Sequence, residues 1–376
     1  MGTRLLKVGL VLDDSLDKPD GVQQYVLGIG EWLRTRGHDV HYLVGQTDRQ
    51  DIAQVHSLSR NLHVRFNRNR MSMPLPTSRR LLREFLRLHQ FDVLHVQLPH
   101  SPWLAHRLVL AADPETVVFG TFHIAPHGRI VSAGTRLLGQ WTRRSIARFD
   151  EIVSVSPAAQ VLARQAYRVK TEVLPNVVEY QRFHVAQPLT QYNDEKLTLL
   201  FLGRLVPRKG CQILLEALAQ LPADMPPYRV VFCGKGPLEP RLKAYVQQHK
   251  LQNVEFVGFV SEADKPRYYA SADIAVFPST GGESFGIVLI EAMASGRAAV
   301  LAGDNPGYRT VMTNAELLFA PRPKPLAEQL EHFLINAADR QRAAKWGAAH
   351  AKQFDVHTVG TALEAHYQAL LKARRQ

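Results

Sequence analysis

Two carboxylates, Glu283 and Glu291, stand where the sequence changes from a strand pattern to a helical one. Residues 273–278 are typical of a buried strand, and apolar residues after Glu283 recur at helical spacing. We therefore predict that Glu283 lies just before a helix and that Glu291 lies two turns inside it. Free N–H groups at a helix start favour an anion such as a diphosphate, and carboxylates accept hydrogen bonds from hydroxyl groups. The alternative is structural, with Glu283 as a helix cap and Glu291 solvated.

Three basic residues, Arg204, Arg208 and Lys209, follow a second apolar run. Residues 197–202 are typical of a strand and a helical pattern follows, so these cations belong to a strand-to-helix loop. Three positive charges can neutralise a diphosphate, which needs stabilisation most when it leaves and its negative charge grows. Loops that follow the strands of a parallel sheet share one edge, so we expect these cations near Glu283.

Two candidate ligand-binding residues in the N-terminal half also lie where a predicted strand ends or a predicted helix begins. Gly21 begins the first predicted helix, where the missing side chain lets the backbone approach a ligand closely. His123 follows the strand predicted over 116–121. Each has a structural alternative, because Gly21 can serve a turn and a lone histidine can be an ordinary buried polar group.

Both halves of the chain alternate strand and helix patterns, which predicts two doubly wound α/β domains with parallel sheets. We expect a first domain over residues 1–186, a polar linker over 187–196, a second domain over 197–355, and a C-terminal helix over 356–376 that crosses back to the first domain. A chain of 376 residues with 45% apolar composition is long enough for two cores.

Composition also bears on location and partners. No run approaches the roughly 18 apolar residues of a membrane span, and the start lacks the layout of a signal peptide, which predicts a cytosolic protein. Cys211 and Cys233 are expected to fill the core in a reducing compartment. No metal-ligand cluster with usable spacing is evident, so we expect neither a metal nor another cofactor. The net charge of +12 implies an acidic partner, which can be anionic lipid, nucleic acid or a phosphorylated substrate.

The positive charge is concentrated in two segments. Residues 60–89 hold eight arginines and one acidic residue, and residues 129–148 hold five arginines and no acidic residue. Apolar residues in the second segment recur at roughly helical spacing, as in basic helices at anionic membrane interfaces. Packing of that apolar stripe on its own domain is the alternative. The residues that we assign to a membrane or acceptor face are Arg79, Arg80, Arg83, Arg87, Trp141, Arg143 and Arg144.

Four motifs occur in order along the chain. They are Asp20-Gly21-Val-Gln-Gln-Tyr-Val, Gly-Thr-Phe-His123, Gly203-Arg204 with Arg208-Lys209-Gly210, and Gly281-Gly-Glu-Ser-Phe-Gly-Ile-Val-Leu-Ile-Glu291. Together they resemble retaining glycosyltransferases of family four, which have the GT-B fold, and over nearly the whole chain they are similar to bacterial phosphatidylinositol mannosyltransferases. The resemblance implies two Rossmann-like domains that face each other across a cleft. It also implies a hexosyltransferase that uses a nucleotide-sugar donor.

Matching positions carry implied roles. By resemblance, Arg204 and Lys209 would hold the donor pyrophosphate, and Arg208 is assigned to donor binding. The backbone near Gly21 would approach the pyrophosphate, and His123 would lie close to the donor sugar. Such enzymes retain the anomeric configuration without a protein nucleophile, because the departing phosphate itself helps to deprotonate the acceptor. The protein then contributes positioning and electrostatic stabilisation.

The remaining implied roles concern the sugar and the nucleoside. Glu283 would bind hydroxyl groups of the transferred sugar, Glu291 would accept hydrogen bonds from the ribose, and the backbone at Val260 would meet the base. The backbone groups expected to act with Glu283 are those of Phe285, Gly286 and Ile287.

Three function hypotheses follow from these observations. The first is transfer of a hexose, with mannose favoured, from GDP-mannose or a UDP-hexose to an anionic lipid or glycolipid at the inner face of the cell membrane. The second is the same chemistry on a soluble sugar or sugar phosphate. The third, nucleic-acid binding, rests on charge alone, and the arginine segments lack a binding module or interleaved aromatic residues. No pattern in the sequence specifies an oligomeric state.

Overall fold

The computed structural model describes residues 4–17, 20–66, 69–125 and 138–376. The chain divides into two compact units, the first made of Met1–Val177 and Val356–Gln376 and the second of Val178–Asp355. Each unit is built on a parallel sheet, which confirms the predicted pair of doubly wound α/β domains.

The strands of both units are short and mostly buried. They are β1 (Lys7–Leu12), β2 (Asp39–Val44), β3 (Val55–Ser57), β4 (Asn61–Phe66), β5 (Asn69–Pro74), β6 (Val93–Gln97), β7 (Val117–Phe122), β8 (Glu151–Ser154), β9 (Glu172–Val173), β10 (Leu197–Leu202), β11 (Tyr228–Cys233), β12 (Val254–Gly258), β13 (Ile274–Phe277), β14 (Ala299–Gly303) and β15 (Leu318–Phe319).

The helices alternate with the strands, as the connections of a parallel sheet require. They are α1 (Gly21–Thr35), α2 (Arg79–His89), α3 (Leu104–Ala111), α4 (Arg143–Ile146), α5 (Pro157–Tyr167), α6 (Tyr180–His184), α7 (Cys211–Leu218), α8 (Glu239–Gln248), α9 (Lys265–Ala270), α10 (Ile287–Ala294), α11 (Tyr308–Val311), α12 (Pro323–Ile335), α13 (Ala337–Ala351) and α14 (Val356–Arg374).

The first unit has a seven-stranded sheet in the order β3-β2-β1-β6-β7-β8-β9. Side chains alternate along β1, so that Leu10 and Leu12 join a core with α1 and α14 while Val11 joins a second core with α2 and α3. Both faces of the sheet are therefore covered, which explains why β1 is almost continuously apolar.

An antiparallel hairpin of β4 and β5 lies outside the seven-stranded sheet. The hairpin was not predicted from the sequence, although Leu62, Val64 and Phe66 alternate with polar residues at the period of a strand.

The second unit has a six-stranded parallel sheet in the order β12-β11-β10-β13-β14-β15. Strand β10 pairs with β11 on one side and β13 on the other. The loops that follow β10 and β13 therefore leave neighbouring positions at the carboxyl edge of the sheet. This edge carries the cations and Glu283.

The boundary between the units precedes helix α6 instead of falling at residue 186. Helix α6 packs on α9 and α10, and its Phe183 is buried with its ring 5.9 Å from that of Tyr269. Part of the segment predicted as a polar linker also packs on the second unit, because the Tyr192 hydroxyl donates to Glu255 Oε2 at 3.0 Å. Tertiary contacts of aromatic side chains thus draw 178–196 into the second unit.

The basic segment predicted as one helix over 129–148 is only partly within the described residues. Residues 126–137 lie outside them. The described part is helical over 138–141 and again over Arg143–Ile146, with a turn at Thr142. The hydroxyl and the backbone N–H of Thr142 both donate to the Leu138 carbonyl at 2.9 Å, so this turn carries a side-chain bond in addition to the backbone one.

Candidate functional site

The cationic loop begins directly after β10. Arg204 is exposed there, and Arg208 and Lys209 belong to a single 3₁₀ turn that ends at Gly210. Gly210 has φ +71°, and a Cβ at this position would lie 1.9 Å from the Pro278 carbonyl oxygen. Only glycine allows this close approach, which brings the loop after β10 against the loop after β13.

Hydrogen bonds hold the two loops together. The Thr280 backbone N–H donates to the Arg208 carbonyl at 2.9 Å, and the Ser279 hydroxyl oxygen lies 3.0 Å from the same carbonyl oxygen. The cations and the segment that leads to Glu283 consequently form one structural unit.

Glu283 lies at the centre of this arrangement. Its Oε1 accepts hydrogen bonds from Arg208 at 2.7 Å and the Ser279 hydroxyl at 2.9 Å, and it lies 2.9 Å from Lys209 Nζ. Burial disfavours the carboxylate, but the charges of Lys209 and Arg208 outweigh burial and lower the pKa of Glu283 below its ordinary value. Two cations face one carboxylate, so the cluster keeps an excess of positive charge.

Helix α10 begins after a run of glycines in left-handed conformations. Gly286 has φ +108° and precedes the first helical residue, Ile287. The free N–H groups at this helix start lie in the same segment as Glu283 and can bind an anion or hydroxyl group. Phe285 is buried with its ring 5.5 Å from that of Phe354, so its side chain anchors the segment and only its backbone is available to a ligand.

Glu291 is buried inside the second unit and is not solvated. Its Oε1 accepts from Lys265 Nζ at 2.9 Å and its Oε2 from the Tyr269 hydroxyl at 3.0 Å. Burial opposes the charge of Lys265, but the carboxylates of Glu291 and Glu262 raise the pKa of Lys265 above its ordinary value. Sequence reasoning missed both partners, since neither belongs to a motif.

The loop after β14 supports the Glu283 segment from the other side. The side-chain amide of Asn305 donates to the Ser279 carbonyl at 3.2 Å. A Cβ on Gly307 would lie 2.1 Å from the Glu283 carbonyl oxygen, so the backbone passes against that of Glu283. The only sequence signal for this support is the pair of glycines, Gly303 and Gly307, around an asparagine.

Val260 lies just after β12, two strands away from β10 at the same edge of the sheet. It is half-buried, and the neighbouring Phe259 is exposed. Its position in the fold is compatible with the role assigned to its backbone by resemblance.

Gly21 and His123 both belong to the first unit. Gly21 begins α1, and its N–H donates to the side chain of Asp20 at 2.7 Å. His123 follows β7 and is buried, with Nε2 2.7 Å from Gln97 Oε1 and its ring against that of Tyr25. Because burial lowers the pKa of His123 to about 3, its imidazole is neutral at physiological pH.

Helix α2 turns four arginines to solvent. Its apolar residues Leu82 and Leu86 are buried on the first unit, whereas Leu81 and Leu88 are 60% and 79% exposed. The exposed arginines are Arg79, Arg80, Arg83 and Arg87. The outer face of α2 therefore combines positive charge with unburied leucines.

The other residues assigned to a membrane or acceptor face are also exposed. Trp141 has 60% of its surface exposed and lies with its ring 6.5 Å from that of Trp103, and Arg143 and Arg144 begin α4. Within the described parts of the chain, no helix has the length and apolar content needed to cross a bilayer.

Two groups of possible metal ligands occur among the described residues, although sequence spacing had indicated none. One comprises His41, His56 and His89, and the other comprises Glu151, Glu172 and His366. Their members come from distant parts of the chain, so spacing along the sequence could not reveal them. Both groups belong to the first unit, not to the Glu283 cluster.

Two family models match the chain. A model described as Glycosyltransferase Family 4 matches residues 19–182, and one described as Glycosyl transferases group 1 matches residues 187–350.

Individual proteins match along nearly the full length. A phosphatidyl-myo-inositol mannosyltransferase of Mycobacterium tuberculosis is 30% identical over 97% of this chain and 97% of its own. A GDP-mannose-dependent monoacylated alpha-(1-6)-phosphatidylinositol monomannoside mannosyltransferase of Corynebacterium glutamicum is 26% identical over 91% of this chain and 92% of its own. The crystal structure of a glycosyltransferase from Rickettsia africae has the same fold, with a TM-score of 0.76, 18% identity, and coverage of 98% of this chain and 99% of that one.

Proposed function

Because this chain belongs to glycosyltransferase family 4 and resembles the bacterial phosphatidylinositol mannosyltransferases, we propose that it transfers mannose from GDP-mannose to a membrane lipid or glycolipid. The observation that carries this proposal is Glu283, held by Arg208 and Lys209 beside the start of α10. Cations suit a diphosphate, and a buried carboxylate with nearby free N–H groups suits sugar hydroxyls.

In the proposed donor complex, Arg204 and Lys209 hold the pyrophosphate and Arg208 keeps Glu283 in place. Positive charge matters most as the sugar–phosphate bond breaks, since negative charge then accumulates on the departing diphosphate. No protein nucleophile is required, and the anomeric configuration is retained.

Other groups at the same sheet edge are proposed to orient the donor. The backbone of Phe285, Gly286 and Ile287 acts with Glu283 on the sugar, and the backbone at Val260 meets the base. Glu291 accepts from the ribose, because each carboxylate oxygen can accept a second hydrogen bond beside those from Lys265 and Tyr269.

The acceptor is proposed to be reached at an anionic membrane surface on the cytoplasmic side. Support comes from α2, whose exposed face joins four arginines with Leu81 and Leu88. Cationic side chains attract anionic headgroups, and exposed leucines enter the boundary between headgroups and acyl chains.

The test is release of nucleoside diphosphate from a panel of GDP- and UDP-sugars, with and without anionic vesicles that contain phosphatidylinositol or a glycolipid. We expect turnover with GDP-mannose only when the acceptor vesicles are present. Identification of the product then gives the position of the mannose and its anomeric configuration.

Two results would change the proposal. Turnover with a UDP-hexose alone would replace the donor. Turnover that is the same with and without vesicles but rises with a soluble sugar or sugar phosphate would show that the acceptor is soluble. The exposed face of α2 would then need another explanation.

A further inference from the structure

Three histidines from separate elements of the first unit meet at one point. His41 lies on β2, His56 on the neighbouring β3 and His89 at the end of α2. One ligand nitrogen from each ring lies within 4.8 Å of the other two. The rings of His41 and His56 are stacked, with His41 Nδ1 2.8 Å from His56 Nε2.

Asp39 lies beside the most buried of these rings. Its Oδ1 is 3.1 Å from His41 Nε2, while His41 Nδ1 faces His56. In metal sites a ligating histidine almost always gives its second nitrogen to a carboxylate or carbonyl, which fixes the tautomer. A carboxylate therefore lies within reach of the second nitrogen of His41, as ligation through Nδ1 requires.

The surroundings favour ligation further. Phe85 and Phe91 pack against the histidine rings and line the site with apolar surface. His41 is buried while His56 and His89 are half-buried, so an ion can enter from solvent.

We propose that His41, His56 and His89 form a binding site for a divalent transition-metal ion that prefers imidazole, with Zn²⁺ as the representative ion. Three histidines and a water are an established ligand set for Zn²⁺. With Zn–N bonds of about 2.0–2.1 Å, tetrahedral ligand nitrogens lie roughly 3.4 Å apart, so small ring movements bring the three nitrogens into place. The ion replaces the hydrogen bond between His41 and His56.

A bound ion would join the end of α2 to two strands of the sheet. Helix α2 is the element with the exposed arginine face, so the site stabilises that helix on its unit. This role is independent of the Glu283 cluster, which lies in the second unit.

The experiment measures Zn²⁺ binding to the full, metal-stripped chain by calorimetry and Co²⁺ binding by visible absorption. We expect one tightly bound ion, a Co²⁺ spectrum of four-coordinate nitrogen ligation and a rise in melting temperature on Zn²⁺ addition. His56→Gln and His89→Gln each remove a half-buried ligand and should weaken binding by at least about a hundredfold, while Asp39→Asn should weaken it by about 10–100-fold.

His366→Gln is the matched control, because it removes the histidine of the other possible ligand group and should leave binding unchanged. Circular dichroism of each metal-free variant checks that it remains folded. The proposal is overturned by a wild-type chain that binds no Zn²⁺ at molar excess. It is equally overturned by binding that survives in the folded His56→Gln and His89→Gln variants, or that is lost in His366→Gln alone.

Discussion

Glu283 is the residue on which the proposed donor site depends. It is buried among two cations and a hydroxyl group, so its orientation is set before any ligand arrives. Preorganised charges of this kind cost no rearrangement when charge develops during a reaction. The same contacts mean that a change at Glu283 also alters the position of Arg208 and Lys209.

Glu283→Gln and Lys209→Ala should each lower turnover by about a hundredfold or more, the usual size for loss of a preorganised electrostatic group. The melting temperature of Lys209→Ala should change little, because Glu283 retains its hydrogen bonds with Arg208 and Ser279. The measurement is steady-state release of nucleoside diphosphate at saturating donor.

Lys243→Ala, which breaks an exposed pair with Glu239 in the same unit, is the control and should retain full turnover. Near wild-type rates in both site variants would contradict the assignment.

Lys265 is a residue whose effect should be on stability. Lys265→Met leaves the buried Glu291 carboxylate without its cation, and removal of one partner from a buried pair costs about 3–5 kcal/mol. Denaturant unfolding followed by a probe in the second unit measures the free energy of unfolding. Lys243→Ala breaks the exposed pair with Glu239 and is the comparison. It should lower the free energy of unfolding by no more than about 0.5 kcal/mol. Equal losses in the two variants would show that Lys265 and Glu291 are not a coupled buried pair.

At the level of elements, α2 has two faces with different partners. Leu82 and Leu86 stabilise the first unit, which leaves the arginines and Leu88 without a role in its core. An exposed face that joins charge to apolar side chains is typical of interfacial helices.

Arg80→Ala combined with Arg87→Ala should weaken binding to anionic vesicles by about 1 kcal/mol per arginine. Co-sedimentation with vesicles at several salt concentrations measures this, and the salt dependence of binding should fall as well. Arg241→Ala with Lys243→Ala removes the same charge from exposed positions of α8 and serves as the control. If both double variants bind equally, net charge and not α2 determines the interaction.

For the whole molecule, the chain ends in the unit where it begins. Helix α14 supplies Leu363, Tyr367 and Leu371 to the core that β1 and α1 also share. The Tyr367 hydroxyl lies 2.6 Å from His95 Nδ1, which ties the helix to β6. The core of the first unit therefore combines segments that are far apart in the sequence.

Gly360→Leu tests this packing. A Cβ at Gly360 would lie 2.6 Å from the buried Trp32 ring, so the larger side chain overpacks the contact between α1 and α14 and should cost about 1–3 kcal/mol or more. Ala362→Leu places the same side chain at an exposed position of α14 and should be nearly neutral. Thermal unfolding of the two variants measures the difference. A Gly360→Leu variant as stable as Ala362→Leu would mean that α14 does not pack closely on α1.

Most strands and helices followed from the sequence, because apolar periodicity is a local property. Strand β10 has the predicted bounds, and the cationic loop and the Glu283 segment occupy the predicted places beside strands. Residue types near Glu283 were likewise informative, since a glycine-rich helix start and a cationic loop suit only a few kinds of ligand.

The particular contacts between distant residues were decided by tertiary structure. The sequence predicted that the cations lie near Glu283, but the strand order that places β10 beside β13 determines the contact of Lys209 with Glu283. Helix packing gives Glu291 its partner Lys265, which the sequence did not indicate. The same holds for the three histidines and for α6, which belongs to the second unit although the chain reaches it from the first. Periodicity specifies which face of an element is buried, but the residues opposite that face are chosen by the arrangement of all the elements together.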